Sequence, residues 1–92
     1  MIASFKSKAL RRLFETGDVR GLNAQHLVKI ELILAVLNSC DGIEGVNLPS
    51  FRLHALTGDL HGFWAVTVRA NWRIIFRFAD GDVSDVDLVD YH

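Results

Sequence analysis

The sequence predicts an α+β domain in which two N-terminal helices pack on a curved, mainly antiparallel sheet. Apolar residues recur at three- and four-residue intervals up to residue 40, and from residue 51 onward they alternate with polar residues. Half of the 92 residues are apolar and 23% are charged, a balance typical of a packed core and not of a disordered chain. The length fits a single domain over residues 1–92.

The first predicted elements are a short strand, Ile2–Phe5, and a helix over residues 8–16. Ser7 can cap this helix because its hydroxyl can accept a hydrogen bond from a backbone N–H of the first turn. Gly17 tolerates the left-handed backbone that commonly ends a helix. Leu10, Leu13 and Phe14 form an apolar stripe at i, i+3 and i+4 of this helix.

A second, longer helix is predicted at roughly residues 24–40, with Asn23 as its N-cap. Its apolar positions are so numerous that the helix is expected to be largely buried. Three polar residues are expected to form its solvent-exposed edge: Gln25, Lys29 and Asn38. Residues 41–50 contain Gly, Asn and Pro and are expected to form a loop.

Four strands are predicted in the second half of the chain, where the apolar period changes to two. Their ranges are Phe51–Leu56, Phe63–Arg69, Trp72–Phe78 and Val83–Val89. Turns are expected at residues 57–59, 70–71 and 80–82, and the Asp-Gly pair in the last of these is a strong hairpin signal. Such short connections join antiparallel neighbours.

Several classes of function lack their motifs. The four histidines show no H-x-x-x-H spacing and Cys40 is the only cysteine, which argues against a zinc site. The sequence has no phosphate-binding glycine loop, dinucleotide fingerprint or nucleophile elbow, so no cofactor is expected. It has no apolar run of membrane-spanning length and no recognisable signal peptide, which predicts a cytoplasmic protein.

The formal net charge of −1 conceals an uneven distribution. All ten Lys and Arg residues lie in residues 1–77, whereas residues 78–92 carry five aspartates and no Lys or Arg. This segregation leaves room for a basic patch, and therefore for an anionic partner, on a protein of slightly acidic pI.

Three arginines follow two strands of the predicted sheet: Arg69, Arg73 and Arg77. Period-two alternation places Arg73 and Arg77 on one face, and Arg69 is expected near Arg73 across the turn. Two interpretations remain open. The arginines could form surface ion pairs with Asp85 and Asp87, worth about 0–1 kcal/mol each, or they could bind a phosphate group.

Asp90, Tyr91 and His92 place a carboxylate, a phenol and an imidazole together at the end of the sequence. A terminal histidine is usually frayed and inert, but the preceding strand could hold this one in place. His54 lies between Leu53 and Ala55, a context that indicates a half-buried strand histidine satisfied by backbone groups.

Five segments together resemble one known family over nearly the whole chain. They are Met1-Ile2-Ala3-Ser4-Phe5-Lys6, Leu13-Phe14-Glu15-Thr16-Gly17, Leu53-His54-Ala55-Leu56-Thr57-Gly58-Asp59, Val68-Arg69-Ala70-Asn71-Trp72-Arg73-Ile74 and Val89-Asp90-Tyr91-His92. The V-R-x-N-x-R core and the D-Y-H ending are specific in combination. The sequence resembles HigB-type toxins of the RelE/ParE toxin superfamily, which implies the RelE-like microbial RNase fold.

The resemblance implies a ribosome-dependent mRNA endonuclease that cuts message in the ribosomal A site without a metal. By matching motif, the implied acid–base residues are His54 and His92. Asp90 could act as a base or orient a histidine, and Tyr91 could stack on a base or donate a hydrogen bond. The implied RNA-phosphate contacts are Arg73, with Arg69 as a neighbouring support, and Arg77.

The implied partners are a HigA-type helix-turn-helix antitoxin, the 70S ribosome with its mRNA and, only through the antitoxin, operator DNA; no membrane is involved. The chain has Thr57 where relatives with an L-H-x-L-K-G motif carry Lys, so one cation is absent from the expected site. Two alternatives remain: a non-enzymatic inhibitor of DNA gyrase, as in the ParE branch of the superfamily, and, because of Thr57, an inactive domain that acts as an antitoxin-bound co-repressor.

Overall fold

Two helices cover one face of a four-stranded antiparallel sheet in the structure, a computed structural model that describes residues 1–91. The helices are α1 (Lys8–Thr16) and α2 (Leu27–Ser39), and the strands are β1 (His54–Ala55), β2 (Trp64–Arg69), β3 (Trp72–Ala79) and β4 (Asp82–Asp90). The strands lie in the order β1-β2-β3-β4. The predicted α+β fold is confirmed. None of the described helices is long and apolar enough to cross a membrane.

The N-terminal segment runs parallel to β4 and leads into α1. Ile2 and Phe5 form isolated parallel bridges with Val83 and Val86, so the predicted first strand is present only as two contact points. The Ser7 side chain accepts a hydrogen bond from the Leu10 N–H at 3.1 Å. Gly17, with φ of 77°, ends α1 in the left-handed conformation, as predicted.

A 3₁₀ turn (Ala24–His26) precedes α2, and the Asn23 side chain caps this turn by accepting from the Gln25 N–H at 2.8 Å. The predicted second helix therefore starts as a 3₁₀ turn and becomes α-helical from Leu27. Four residues of α2 form its buried face: Ile30, Ile33, Leu34 and Leu37.

The predicted solvent-exposed edge of α2 is wrong in part. Lys29 and Asn38 are half-buried because each binds a distant backbone group: Lys29 Nζ donates to the Ser50 carbonyl at 3.0 Å, and Asn38 Oδ1 accepts from the Ile2 N–H at 3.1 Å. The exposed side instead carries apolar Val28 (84% exposed) and Leu32 (48% exposed).

The segment between α2 and β2 is built from three 3₁₀ turns, Ile43–Val46, Pro49–Phe51 and Gly58–Leu60, around a two-residue β1. The predicted strand Phe51–Leu56 is thus reduced to its centre. Pro49 begins the turn that precedes Arg52, and Arg52 has φ of 51°, which no extended strand allows. Phe51 is completely buried and anchors this segment to the core.

The β3–β4 hairpin has the turn that its Asp-Gly pair predicts. Ala79 pairs with Asp82, and both intervening residues have positive φ, 54° for Asp80 and 82° for Gly81, as a type I′ turn requires. An irregularity follows in β4, where Arg77 lies opposite Ser84 but Ile75 lies opposite Asp87. The extra residue in β4 makes a β-bulge.

The two faces of the sheet bury clusters of unequal size. The larger cluster lies between the sheet and the helices and includes Val66, Ile74 and Phe76. The smaller cluster lies on the opposite face and consists of Leu56, Phe63, Ala65 and Ile75. We call this second side of the sheet, which faces away from the helices, the open face.

Ser7→Ala should lower the free energy of unfolding by about 1 kcal/mol, because the Leu10 N–H loses its side-chain acceptor. Ser7→Asp keeps an acceptor at the N-cap and should retain most of the stability. Urea denaturation followed by tryptophan fluorescence measures both. Equal midpoints for the alanine variant and the unsubstituted protein would contradict the capping role.

Candidate active site

The open face gathers most of the candidate catalytic side chains because strand residues alternate between faces. His54 pairs with Ala65, Ala65 with Ile75, and Ile75 with Asp87, so these four residues form one row across the sheet. The next row contains Thr67, Arg73 and Val89. The segment from Leu56 to Phe63 packs over Ala65 and Ile75, and the Leu56 N–H donates to the Phe63 carbonyl at 2.9 Å.

Arg73 is anchored by the hairpin that connects β2 and β3. Its Nη1 donates to the Ala70 carbonyl at 2.5 Å and to the Trp72 carbonyl at 3.3 Å. Among residues 1–91, Arg73 takes part in no ion pair. Within residues 1–91 the anchoring bonds use Nη1, so the Nε–Nη2 edge is left to bind an anion in bidentate fashion.

His54 is exposed at the edge of the same face. Its Nδ1 lies 2.9 Å from the Arg52 carbonyl oxygen, which can only accept a hydrogen bond, so Nδ1 carries the proton. Nε2 is then the nitrogen with a free lone pair when the ring is neutral. From strand spacing alone, the Cα atoms of His54 and Arg73 are about 12 Å apart, a gap that a phosphodiester between their side chains could fill.

The C-terminal end of β4 is tied to the same hairpin. The Tyr91 N–H donates to the Asn71 carbonyl at 2.7 Å. Tyr91 follows directly after β4, and one further step of the strand alternation predicts that it lies on the same face as Val89. The Tyr91 side chain is 45% exposed. Asp90 pairs with Trp72 and shares the helix side of the sheet with it. His92, the second predicted acid–base residue, lies outside the described residues.

Arg77 has a different environment from Arg73. Its Nε lies 3.5 Å from Asp85 Oδ2, and its guanidinium carbon lies 4.4 Å from the centre of the Phe63 ring. Lys6 Nζ lies 5.7 Å from the same ring centre. The ion pair with Asp85 is the one that the sequence left open, whereas the second candidate acid, Asp87, accepts from the backbone N–H of Leu88.

The expectation that Arg69 lies beside Arg73 is wrong. Thr67 pairs with Arg73, but Arg69 pairs with Trp72, so one extra residue in β2 moves Arg69 to the other face of the sheet. There its Nη1 donates to the Gln25 side-chain oxygen at 3.3 Å. A two-residue connection read from the sequence gives no sign of this bulge.

Cys40 is buried at the end of α2, and its Sγ lies 3.3 Å from the Leu37 carbonyl oxygen. Burial raises the pKa of the Cys40 thiol, which disfavours the thiolate that a nucleophile or metal ligand needs. Within residues 1–91, no three His, Cys, Asp or Glu side chains come together as a metal site would require.

A family model described as the RelE-like toxin HigB of type II toxin–antitoxin systems matches residues 3–92. The chain belongs to the HigB-like toxin family. It is also 44% identical over 92 residues to a protein named Endoribonuclease HigB from Proteus vulgaris, with complete coverage of both chains. Membership of a HigB-like family of type II systems implies an antitoxin as partner.

Solved structures of other toxins have a similar fold at low sequence identity. A YafQ mutant from E. coli has a TM-score of 0.64 at 16% identity, covering 98% of this chain and 91% of that one. A YoeB/ParE toxin from Agrobacterium tumefaciens has a TM-score of 0.53 at 18% identity, covering 99% and 96%. Their similarity to this chain confirms the predicted RelE-like fold.

Two contributors to the site had no sequence signal. Arg52 and Ala70 act through their carbonyl oxygens, which bind His54 and Arg73. Every residue has a carbonyl, and the backbone conformation that aims it is atypical for Arg and Ala, so composition and spacing could not single them out.

Arg77→Ala should lower the free energy of unfolding by about 1 kcal/mol, since it removes the guanidinium that packs on Phe63. Arg77→Lys keeps the charge but loses the packing of the planar guanidinium on Phe63, so it should recover only part of the lost free energy of unfolding. Chemical denaturation measures both variants. An unchanged midpoint for Arg77→Ala would show that Arg77 has no packing role.

Proposed function

We propose that the chain is an endoribonuclease toxin that cleaves mRNA in the ribosomal A site and thereby inhibits translation. The name of the Proteus vulgaris relative supports RNA cleavage. The observation that carries the proposal is Arg73, a guanidinium held by two carbonyls on the open face and engaged in no ion pair within residues 1–91. Such a group is suited to a phosphodiester.

The proposed reaction is a metal-independent transphosphorylation. The 2′-oxygen loses its proton and attacks the adjacent phosphorus, and the bond from phosphorus to the 5′-oxygen breaks. The leaving 5′-oxygen takes up a proton, so the products are a 2′,3′-cyclic phosphate and a 5′-hydroxyl. Negative charge increases on the phosphoryl oxygens during the attack, and the Nε–Nη2 edge of Arg73 would stabilise it.

His54 is proposed as one of the two proton-transfer groups, because its Nε2 can accept a proton while Nδ1 stays bound to the Arg52 carbonyl. His92 is proposed as the other. Tyr91 would stack on a base or donate a hydrogen bond from its exposed ring. Asp90, at the end of β4 and two residues before His92, would orient that histidine or act as a base.

Two further arginines, Arg77 and Arg69, are proposed to contact RNA phosphates at different distances from Arg73. Arg77 already packs on Phe63 and pairs with Asp85, so it would contribute charge at the margin of the bound strand. Arg69, on the other side of the sheet, would contact a more distant part of the ribosome–mRNA complex. The proposed antitoxin is a HigA-type helix-turn-helix protein, through which the toxin reaches operator DNA.

Arg73→Ala should reduce mRNA cleavage by about 10²–10³-fold, in the range found when one transition-state hydrogen-bond donor is removed. Growth arrest on expression should disappear with it. Arg11→Ala, which removes the same charge from the exposed side of α1, is the matched control and should cleave normally. Thermal unfolding of both variants separates a failed site from a failed fold. Full toxicity of a folded Arg73→Ala variant would reject the phosphate role.

The chemistry and the setting are tested with purified ribosomes and a defined mRNA. Cleavage should require the 70S ribosome and should stop when the nucleotide before the cut carries a 2′-deoxy substitution, because that oxygen is the nucleophile. Ends bearing 3′-hydroxyl and 5′-phosphate groups would contradict transphosphorylation. Mapping transcript 5′ ends after brief expression extends the test to cells. DNA damage without RNA breaks would favour gyrase inhibition. The absence of both RNA breaks and DNA damage would favour an inactive co-repressor.

A further inference from the structure

Four non-glycine residues of the described chain have positive φ: Arg52, Ala70, Asp80 and Asp85. The two aspartates belong to a residue type that tolerates this conformation, and they lie in a type I′ turn and a bulge. Arg52 (φ 51°) and Ala70 (φ 51°) have no such preference. Their left-handed backbone therefore needs a separate explanation.

The left-handed conformation of Arg52 lies between a buried anchor and a candidate catalytic residue. Phe51 is completely buried, and Lys29 holds the Ser50 carbonyl at 3.0 Å and lies 5.3 Å from the centre of the Phe51 ring. Arg52 then reverses the chain from the 3₁₀ turn into β1. In this geometry its carbonyl oxygen lies 2.9 Å from Nδ1 of His54, two residues later.

Ala70 binds Arg73 through its carbonyl oxygen, as Arg52 binds His54. It is the first residue of the connection between β2 and β3, directly after the β2 bulge. Its carbonyl oxygen accepts from Nη1 of Arg73 at 2.5 Å, three residues later. The next carbonyl, that of Asn71, accepts from the Tyr91 N–H. One short turn thus holds the side chain of Arg73 and the backbone of Tyr91.

We infer that Arg52 and Ala70 are positioning residues whose left-handed backbone aims a carbonyl at a catalytic side chain. The Arg52 carbonyl selects the Nδ1–H tautomer of His54 and so presents Nε2 to the RNA. The Ala70 carbonyl fixes Nη1 of Arg73 and so presents the opposite edge to the phosphate. This inference rests on the proposed RNase function for its effect on cleavage, but its structural part does not.

The variants compared at positions 52 and 70 must differ in their tolerance of the left-handed backbone but not in side-chain charge. Arg52→Ala and Arg52→Val both remove the charge, but a β-branched residue disfavours the left-handed region far more strongly. Glycine adopts that region freely, so Arg52→Gly is the conservative backbone variant. At the second position the corresponding pair is Ala70→Val and Ala70→Gly.

The structural readout is the tautomer of His54, measured by ¹H–¹⁵N NMR of imidazole-labelled protein at a pH where the ring is neutral. His54→Gln identifies the resonance. Nδ1–H should be observed in the unsubstituted protein, Arg52→Ala and Arg52→Gly, whereas Arg52→Val should shift towards the Nε2–H form that imidazole favours in water. The Nε2–H form in the unsubstituted protein, or an unchanged tautomer in a folded Arg52→Val variant, would overturn the inference.

The functional readout is ribosome-dependent cleavage of a defined mRNA. Arg52→Val should be at least about tenfold slower than Arg52→Ala, a part of the 10²–10⁴ that a positioned acid–base group contributes. Ala70→Val should be slower than Ala70→Gly by a similar factor. Equal rates within each pair would overturn the positioning role. If the His54 tautomer responds as expected but His54→Gln still cleaves, the proposed role of His54 fails and the structural assignment stands.

Discussion

The burial of β3 on both of its faces is the constraint on which the site depends. Ile74 and Phe76 are completely buried against the helices, and Ile75 is buried on the open face beneath the segment that ends at Phe63. A slip of one residue would move Ile74 and Phe76 out of the core between the sheet and the helices, and it would turn Arg73 and Arg77 into that core. The register that protects the core therefore also fixes Arg73 on the open face, two residues from Ile75.

The attraction of the open face for an anion depends more on how each arginine is paired than on the net charge of the chain. Arg77 is paired with Asp85 and packed on an aromatic ring, whereas Arg73 is bound to two backbone carbonyls, which orient a guanidinium without neutralising it. An arginine held in this way stays charged and can bind an anion. Asp85, in the bulge of β4, pairs with Arg77, and within residues 1–91 no aspartate forms an ion pair with Arg73.

Backbone carbonyls are the common element of the proposed site. His54, Arg73 and Tyr91 are each bound through a carbonyl oxygen, from Arg52, Ala70 and Asn71 respectively. These carbonyls lie in short turns, so they would orient the proposed catalytic groups before RNA binds. Such pre-organisation matters for a reaction that proceeds by positioning and charge stabilisation.

The sequence by itself determined the helices, the three long strands and the Asp-Gly hairpin, because periodicity and turn chemistry are local properties. It also placed Arg73 and His54 among the candidate site residues, through motifs that only a family shares. The tertiary structure alone decided the position of Arg69, the shortening of β1 and the apolar exposed side of α2. Each of these depends on a bulge, a left-handed residue or a distant hydrogen bond, and such features are selected by packing between segments that are far apart in the chain.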